Sequence, residues 1–303
     1  MNRQKGVALI TAMLITALVA SVALGLAWDS ALDVRRTMVL LHRDQAAHVA
    51  MGAESWVQTI LTQDLQDSET DHLGEVWATE LPGLPIEGGE VFGAVEDLQG
   101  RFNVNNLVDG DEVDEEALDQ FRRLLEALGI DPRFAGITAD WIDPDQEVSF
   151  PDGAEDTLYS TQIPPYRTAD RPIADISELA AIDGMDKQTF DLLRPHIVAL
   201  PGRTGINVNT ATPAVLQSLS DSMTAGDVER LVQERADLGF TDVVNTFSSL
   251  VEPEVLNELL ESSEFFQLKV SVRIDTVRVT YSTTFQRGPR GDVVPILRSF
   301  GSI

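Results

Sequence analysis

A run of about 21 residues without a charge, Val7 to Ala27, constrains this chain more than any other feature. At about 1.5 Å of rise per residue it spans roughly 30 Å as a helix, enough to cross the hydrocarbon core of a bilayer. A secretory signal would show a shorter apolar stretch and then a small-x-small cleavage site, and no such site lies between the run and the residues after it. Arg3 and Lys5 precede it, and Asp29 and Asp33 come after it. The positive-inside bias therefore predicts a cytoplasmic N-terminus with about 275 residues on the far side. From Trp28 to about Leu65 there is no proline, and Gly52 is the only glycine. Leu32, Val39, Val49, Trp56 and Ile60 recur at helical spacing with Ala46, Ala50 and Ala53 filling in, and Arg35, Arg36, Arg43 and Asp44 lie between them. The expectation is one continuous helix from Val7 to about Gln63, half in lipid, on the order of 80 Å long.

Beyond the rod the chain shows two other textures. Gly89 to Arg101 alternates over a short stretch, and Phe102-Asn-Val-Asn-Asn-Leu107 closes it. Near the other end, Phe265 to Ile274 and Thr276 to Phe285 are β-branched and alternating, with Lys269, Arg273 and Arg278 on the face expected to be wet. Gly288 to Gly291 reads as a turn, and Val293 to Leu297 as a last strand placed at an edge by Pro295. Between these pieces the period changes to that of helices: Ala117–Leu128, Ile137–Ile142, Ile176–Ile182, Lys187–Ile197, Thr212–Leu219, Ala225–Ala236 and Pro253–Leu260. Ser177 and Thr212 stand where N-caps are expected and Pro213 at a first helical position.

A basic leader ending in Gly6, directly abutting an unbroken helix, resembles the type IV pilin superfamily. That resemblance implies cleavage between Gly6 and Val7 by a prepilin peptidase, and methylation of the new terminus, although Val7 departs from the phenylalanine common there. Pilins usually carry a glutamate at the fifth mature position; here that position is Thr11. In the family the acid is thought to neutralise a neighbour's terminal ammonium, because an isolated charge in hydrocarbon costs several kcal/mol. Lacking it is a feature of the minor pseudopilin K family of type II secretion systems. At 303 residues the chain is about twice the size of an ordinary pilin and has room for an extra domain. Phrases similar to that family are Asp97 to Asn105, Asp140-Trp-Ile-Asp-Pro-Asp145, Pro164 to Arg167 and Gly205 to Ala211.

The resulting expectation is an α+β chain with a long N-terminal transmembrane and periplasmic helix, a small pilin-like antiparallel sheet and a large inserted α-helical domain. Its parts are a leader (1–6), a transmembrane helix (7–27), its periplasmic continuation (28–65), a first pilin-like part (66–107), the insertion (108–263) and a second sheet part (264–303). The resemblance implies a single-pass protein of the inner membrane of a Gram-negative bacterium, its bulk in the periplasm. It would sit at the tip of the pseudopilus with minor pseudopilins I and J, and with H and the major pseudopilin below. Different in class is a membrane-anchored periplasmic module gripping an exported client or envelope component. A simple anchor of that kind would keep Met1.

Charge narrows the remaining classes. The composition, Lys+Arg 22 against Asp+Glu 49, has a net charge of −27. Ile176–Lys187 and Ile206–Ala211 resemble helix-hairpin-helix units, which in DNA-binding proteins bring two glycines to a phosphate. Here Asp186 stands where the second glycine belongs, and Leu219 to Thr224 has no glycine pair. An acidic surface repels a phosphate backbone, so no nucleic-acid partner is expected. The acids are densest at Asp140, Asp143, Asp145, Glu147, Asp152, Glu155 and Asp156, in a proline-broken loop. Hard cations such as calcium take six to eight oxygens, and clustered acids can supply them. The loop is not an EF-hand, because Val148 and Ala154 occupy the positions of its glycine and its glutamate. Resemblance to pseudopilin K implies calcium in the insertion. Asp145, Glu155 and Asp156 lead the expected ligands, with Asp143 next, since Pro144 and Gly153 let the two halves of the loop fold together. Enzymatic chemistry has no foothold. There is no cysteine, His42, His48, His72 and His196 are scattered, and HExxH, GxSxG and P-loop motifs are missing.

Overall fold

The computed structural model describes residues 3–236 and 238–301, with side chains from Val7 onward. Of the expected leader, Met1, Asn2 and the side chains of residues 3–6 lie outside the described residues. Helix α1 (Arg3–Asp67) runs unbroken for 65 residues, about 97 Å. It ends a turn beyond the apolar period, with the Ser68 amide still donating to the Asp64 carbonyl at 2.8 Å.

Only the distal half of α1 is covered. Ala46, Ala50, Val57 and Leu61 form a stripe with 0–2% exposure that packs on a sheet. Val49, Ala53 and Ile60 flank it, half-buried. Trp56, which shares the helical spacing of the apolar residues, points outward at 55% exposure. The two alanines let the helix axis approach the strands closely, and the larger Val57 and Leu61 fill the end of the groove.

The sheet has five antiparallel strands in chain order: β1 (Leu81–Ile86), β2 (Gly89–Asp97), β3 (Phe265–Ile274), β4 (Val277–Arg287) and β5 (Val293–Phe300). β1 went unread in the sequence because Pro82, Gly83 and Pro85 interrupt it. It survives at an edge, where a missing donor costs little. β5 is the opposite edge, and its register skips Ile296, next to Pro295. Lys269 and Arg273 face away from α1 and pair with Glu96 and Glu90 across the β2–β3 ladder.

The insertion enters between β2 and β3, which are themselves neighbours. Asp97 sits opposite Phe266, and the Leu98 amide donates to the Phe265 carbonyl at 2.9 Å. A whole domain thus replaces a hairpin loop. Its start corrects the expected boundary at 108: Phe102, Val104 and Leu107 belong to the insertion's core, and Phe102 pairs in parallel with Ile197. Phe102–Asn103 is a short strand, but Val104–Leu107 coils into a 3-10 turn, and the asparagines of this stretch serve loops. Asn105 Nδ2 donates to the carbonyls of Ile173 at 3.0 Å and Leu200 at 2.9 Å, and Asn103 Nδ2 to that of Gly202 at 2.9 Å.

Helices α2 (Glu115–Ala127), α3 (Phe134–Ile142), α4 (Asp156–Tyr159), α5 (Lys187–Leu193), α6 (Pro213–Ser218), α7 (Ala225–Glu234), α8 (Val243–Phe247) and α9 (Pro253–Leu256) build the insertion. α2 buries Leu118, Phe121, Leu124 and Leu125, the face its period implies. Thr212 caps α6 and Pro213 opens it. The expected cap Ser177 gives way to Asp175, whose carboxylate and that of Glu178 satisfy each other's backbone amides. Pro195 stops α5 short of Ile197, and Leu259–Leu260 leaves α9 to pair with Ile206–Asn207. The two hairpin-like units turn their apolar sides into this same core through Leu179, Ile182 and Leu193, and through Val215, Leu216 and Leu231.

Candidate metal centre

Asp140 and Asp143 lie one turn apart at the end of α3, so their carboxylates leave the helix on one face. Glu155 comes from the residue just before α4 and makes no capping bond there. The three residues are 0%, 3% and 1% exposed, and one carboxylate oxygen of each lies within 4.8 Å of the others. Gly153 permits this convergence, because a Cβ there would collide with Asp140 Oδ2. The amide of Ser149 donates to Asp140 at 3.1 Å and orients it.

Electrostatically the trio is unbalanced. Glu155 Oε1 and Oε2 and Asp143 Oδ1 are buried with no hydrogen-bond partner among the described residues. Burial, and then the charges of Asp140, Asp143 and Asp170, push the Glu155 carboxyl up to about 8. Burial and the same kind of neighbours push Asp143 up to about 6 and raise Asp140. Three buried carboxylates at this separation cannot all ionise unless a cation joins them. Oxygen-only donors with free lone pairs suit a hard divalent ion, calcium above all.

Asp143 and Glu155 of the four expected ligands are therefore brought together, and Asp145 and Asp156 are not. Asp145 is exposed and its Oδ1 accepts from the Glu147 amide at 2.7 Å. Asp156 Oδ1 accepts from the Thr168 amide and hydroxyl, both at 3.0 Å, with Arg167 3.6 Å from Oδ2. Asp140 was within the dense acidic stretch, but its place on α3 separates it from the loop; the i, i+3 spacing to Asp143 was the signal. Asp170, at φ 48°, reaches the neighbourhood from far along the chain, and nothing local announces it.

At the other end of the molecule, Thr11 Oγ1 donates back to the carbonyls of Val7 and Ala8, both at 3.0 Å. The position that holds an acid in most pilins is thus neutral and satisfied within its own helix. Gly6 and Val7 lie within α1. Val7 opens the stretch long and apolar enough to cross a membrane.

The family models for protein K of the type II secretion system match residues 100–202 and 206–260, together more than half of the chain. This chain belongs to the type II secretion system protein K family. It is 34% identical to "Type II secretion system protein K" of Pseudomonas aeruginosa over 98% of this chain and 93% of the relative. With the Pectobacterium carotovorum protein of the same name it shares 35% identity, over 90% and 89% of the two chains. A chain in the crystal structure of the GspK–GspI–GspJ complex from the enterotoxigenic Escherichia coli type 2 secretion system superposes with a TM-score of 0.78 at 25% identity. The match covers 88% of this chain and 100% of that one. The protein K relatives span the rod, sheet and insertion alike, so this chain is a minor pseudopilin with the K architecture, and its apolar α1 is consistent with single-pass anchoring in the inner membrane.

Proposed function

We propose that this pseudopilin K ends the pseudopilus, starting the filament as its tip subunit and blocking addition above itself. The observation that carries the reading is where the bulk lies. The insertion meets α1 at its far end, with the Asp71 amide bonded to the Glu261 carbonyl at 2.9 Å, about 90 Å along the helix from Val7. A subunit stacked above would have to occupy the space the insertion fills. Thr11 supplies the second half of the argument. With no carboxylate there, the protein cannot neutralise the ammonium of a subunit that would dock above it, and a tip subunit has no such neighbour.

Assembly draws on the exposed faces of α1. Val7 through Leu26 and, further on, Leu40, Leu41 and Trp56 have no cover within one chain. Ala8, Ala12, Ala20, Ala23 and Gly25 allow like helices to approach closely. The partners are minor pseudopilins I and J, as in the complex of the E. coli relative, followed by H and the major pseudopilin. Cleavage by prepilin peptidase between Gly6 and Val7 would precede assembly, with the N-terminus cytoplasmic and the insertion periplasmic. Calcium held by Asp140, Asp143 and Glu155 would fix the α3–α4 loop.

N-terminal sequencing of membrane-extracted protein tests the processing: Val7 should be first when the peptidase is present and Met1 when it is absent. Thr11→Glu tests the charge argument, since the variant should enter the shaft as well as the tip in electron micrographs of labelled filaments. Should it still cap at the usual length, steric exclusion by the insertion is sufficient and the neutral residue is incidental.

A further inference from the structure

The joint between rod, sheet and insertion holds a second group of acids, far from the α3–α4 loop. Asp64 lies on the last turn of α1, and Asp71 and Glu75 on the segment just after it. One carboxylate oxygen of each lies within 4.8 Å of the others. Each residue is also held by hydrogen bonds to one of its oxygens. Asp71 Oδ2 accepts from the Ser263 amide at 2.7 Å and from Arg287 Nη2. Asp64 Oδ2 accepts from Arg287 Nη1 at 3.1 Å. Glu75 Oε2 accepts from Trp77 Nε1 at 2.7 Å and the His72 amide at 3.0 Å. The remaining oxygen of Asp71, Oδ1, is buried in a residue 1% exposed and has no hydrogen-bond partner among the described residues.

We propose that Asp64, Asp71 and Glu75 form a divalent-cation site, with calcium as the ion, separate from the one at Asp140, Asp143 and Glu155. Carboxylates held in place by donors around them, close to one another and with the buried Asp71 Oδ1 left unpartnered, have the arrangement of ligands fixed by outer-shell bonds. Arg287 supplies one positive charge against three carboxylates, so a divalent ion brings the buried group near neutrality. Burial, with Glu75 and Asp71 beside it, pushes the Asp64 carboxyl up to about 7, the strain expected of the acids alone. The donors are oxygens, which favours calcium over softer metals. The ion would tie the end of α1 to the segment beside Ser263, where the chain returns from the insertion, and so set the angle at which the insertion sits on the rod.

The test uses the detergent-solubilised full chain carrying Glu155→Gln, which disables the other site, with terbium as a luminescent stand-in for calcium. Trp77 touches Glu75 and should sensitise emission that calcium competes away. Asp71→Asn and Glu75→Gln should each weaken terbium binding at least about tenfold, and Trp77→Phe should cut tryptophan-sensitised emission at least about fivefold. Glu75→Gln leaves both Arg287 ion pairs in place, so it decides the matter if Asp71→Asn fails to give the wild-type circular dichroism spectrum. The proposal is overturned if the Glu155→Gln chain shows no saturable terbium or calcium binding, or if Glu75→Gln binds as tightly as its parent. Absent binding in that parent alongside normal filament capping would overturn the site and leave the tip function untouched, so the two ideas fail separately.

Discussion

Glu155 and Asp156 are adjacent in sequence and opposite in environment. Glu155 has two orphaned buried oxygens, whereas Asp156 is satisfied by Thr168. Without a cation the raised carboxyl of Glu155 opposes folding more strongly as pH rises from about 4.5 toward about 8. A bound calcium removes that penalty. Glu155→Gln should therefore reduce the rise in melting temperature that millimolar calcium produces in the parent protein, and on a Glu75→Gln background, where the joint site is also disabled, it should abolish the rise. Asp156→Ala should lower stability by about 1 kcal/mol through the lost Thr168 bonds, and the melting point with it, yet keep the calcium response. Differential scanning fluorimetry with calcium and with a chelator separates the two. The reverse pattern would restore Asp156 as a ligand and displace Glu155. Which of two neighbouring acids meets the ion depends on how α4 begins, and composition could not decide it.

Among the elements, α1 and the edge strand β5 are joined by a clamp that the residue pattern did not announce. Glu54, on the buried side of α1, accepts from Arg298 Nη2 at 2.7 Å, from Thr283 Oγ1 at 2.9 Å and from the Tyr281 hydroxyl. The Arg298 bond, against the opposing effect of burial, holds the Glu54 carboxyl at about 2. A depressed carboxyl stabilises the fold fully above its unfolded value, about 4.5, and that contribution disappears as pH falls toward about 2. Glu54→Gln should cost about 2–3 kcal/mol at neutral pH and flatten the acid limb of the stability curve in that window. Urea titrations at several pH values would show it. A variant with the parent's acid limb would mean that other carboxylates govern it. The clamp also explains how a strand carrying Pro295 remains attached at the sheet edge.

At the level of the whole molecule, two large cores fold side by side and share one doorway, where Leu98, Val198, Leu200 and Phe265 form a small third cluster. Trp77, Phe266, Tyr281 and Phe285 belong to the α1–sheet core, and Phe121, Trp141, Tyr159 and Phe247 to that of the insertion. The chain leaves at Asp97 and returns at Phe265, on neighbouring strands. Replacing residues 99–264 by a short Gly/Ser link should leave a membrane-anchored rod and sheet that still melts cooperatively. It should be less stable, because Ser263 no longer holds Asp71. If the insertion excludes further subunits, filaments that start from this truncated chain should lose their fixed end. Cryo-microscopy showing the truncated protein still confined to the tip would place capping in the rod instead.

How much could be read in advance depends on the range of the forces involved. The membrane-length rod, the helix beyond it, the α2 face and the Thr212 cap depend on residues within a turn or two of each other, so the residue order alone determined them. It also carried the resemblance to pseudopilin K, through Gly6, Thr11 and the phrases from Asp97 to Ala211. The start of the insertion, the outward turn of Trp56, the trio of Asp140, Asp143 and Glu155, and the joint at Asp64, Asp71 and Arg287 depend on partners far apart in the chain. Burial and charge balance at such places exist only once distant segments meet, and so the tertiary structure alone decided them.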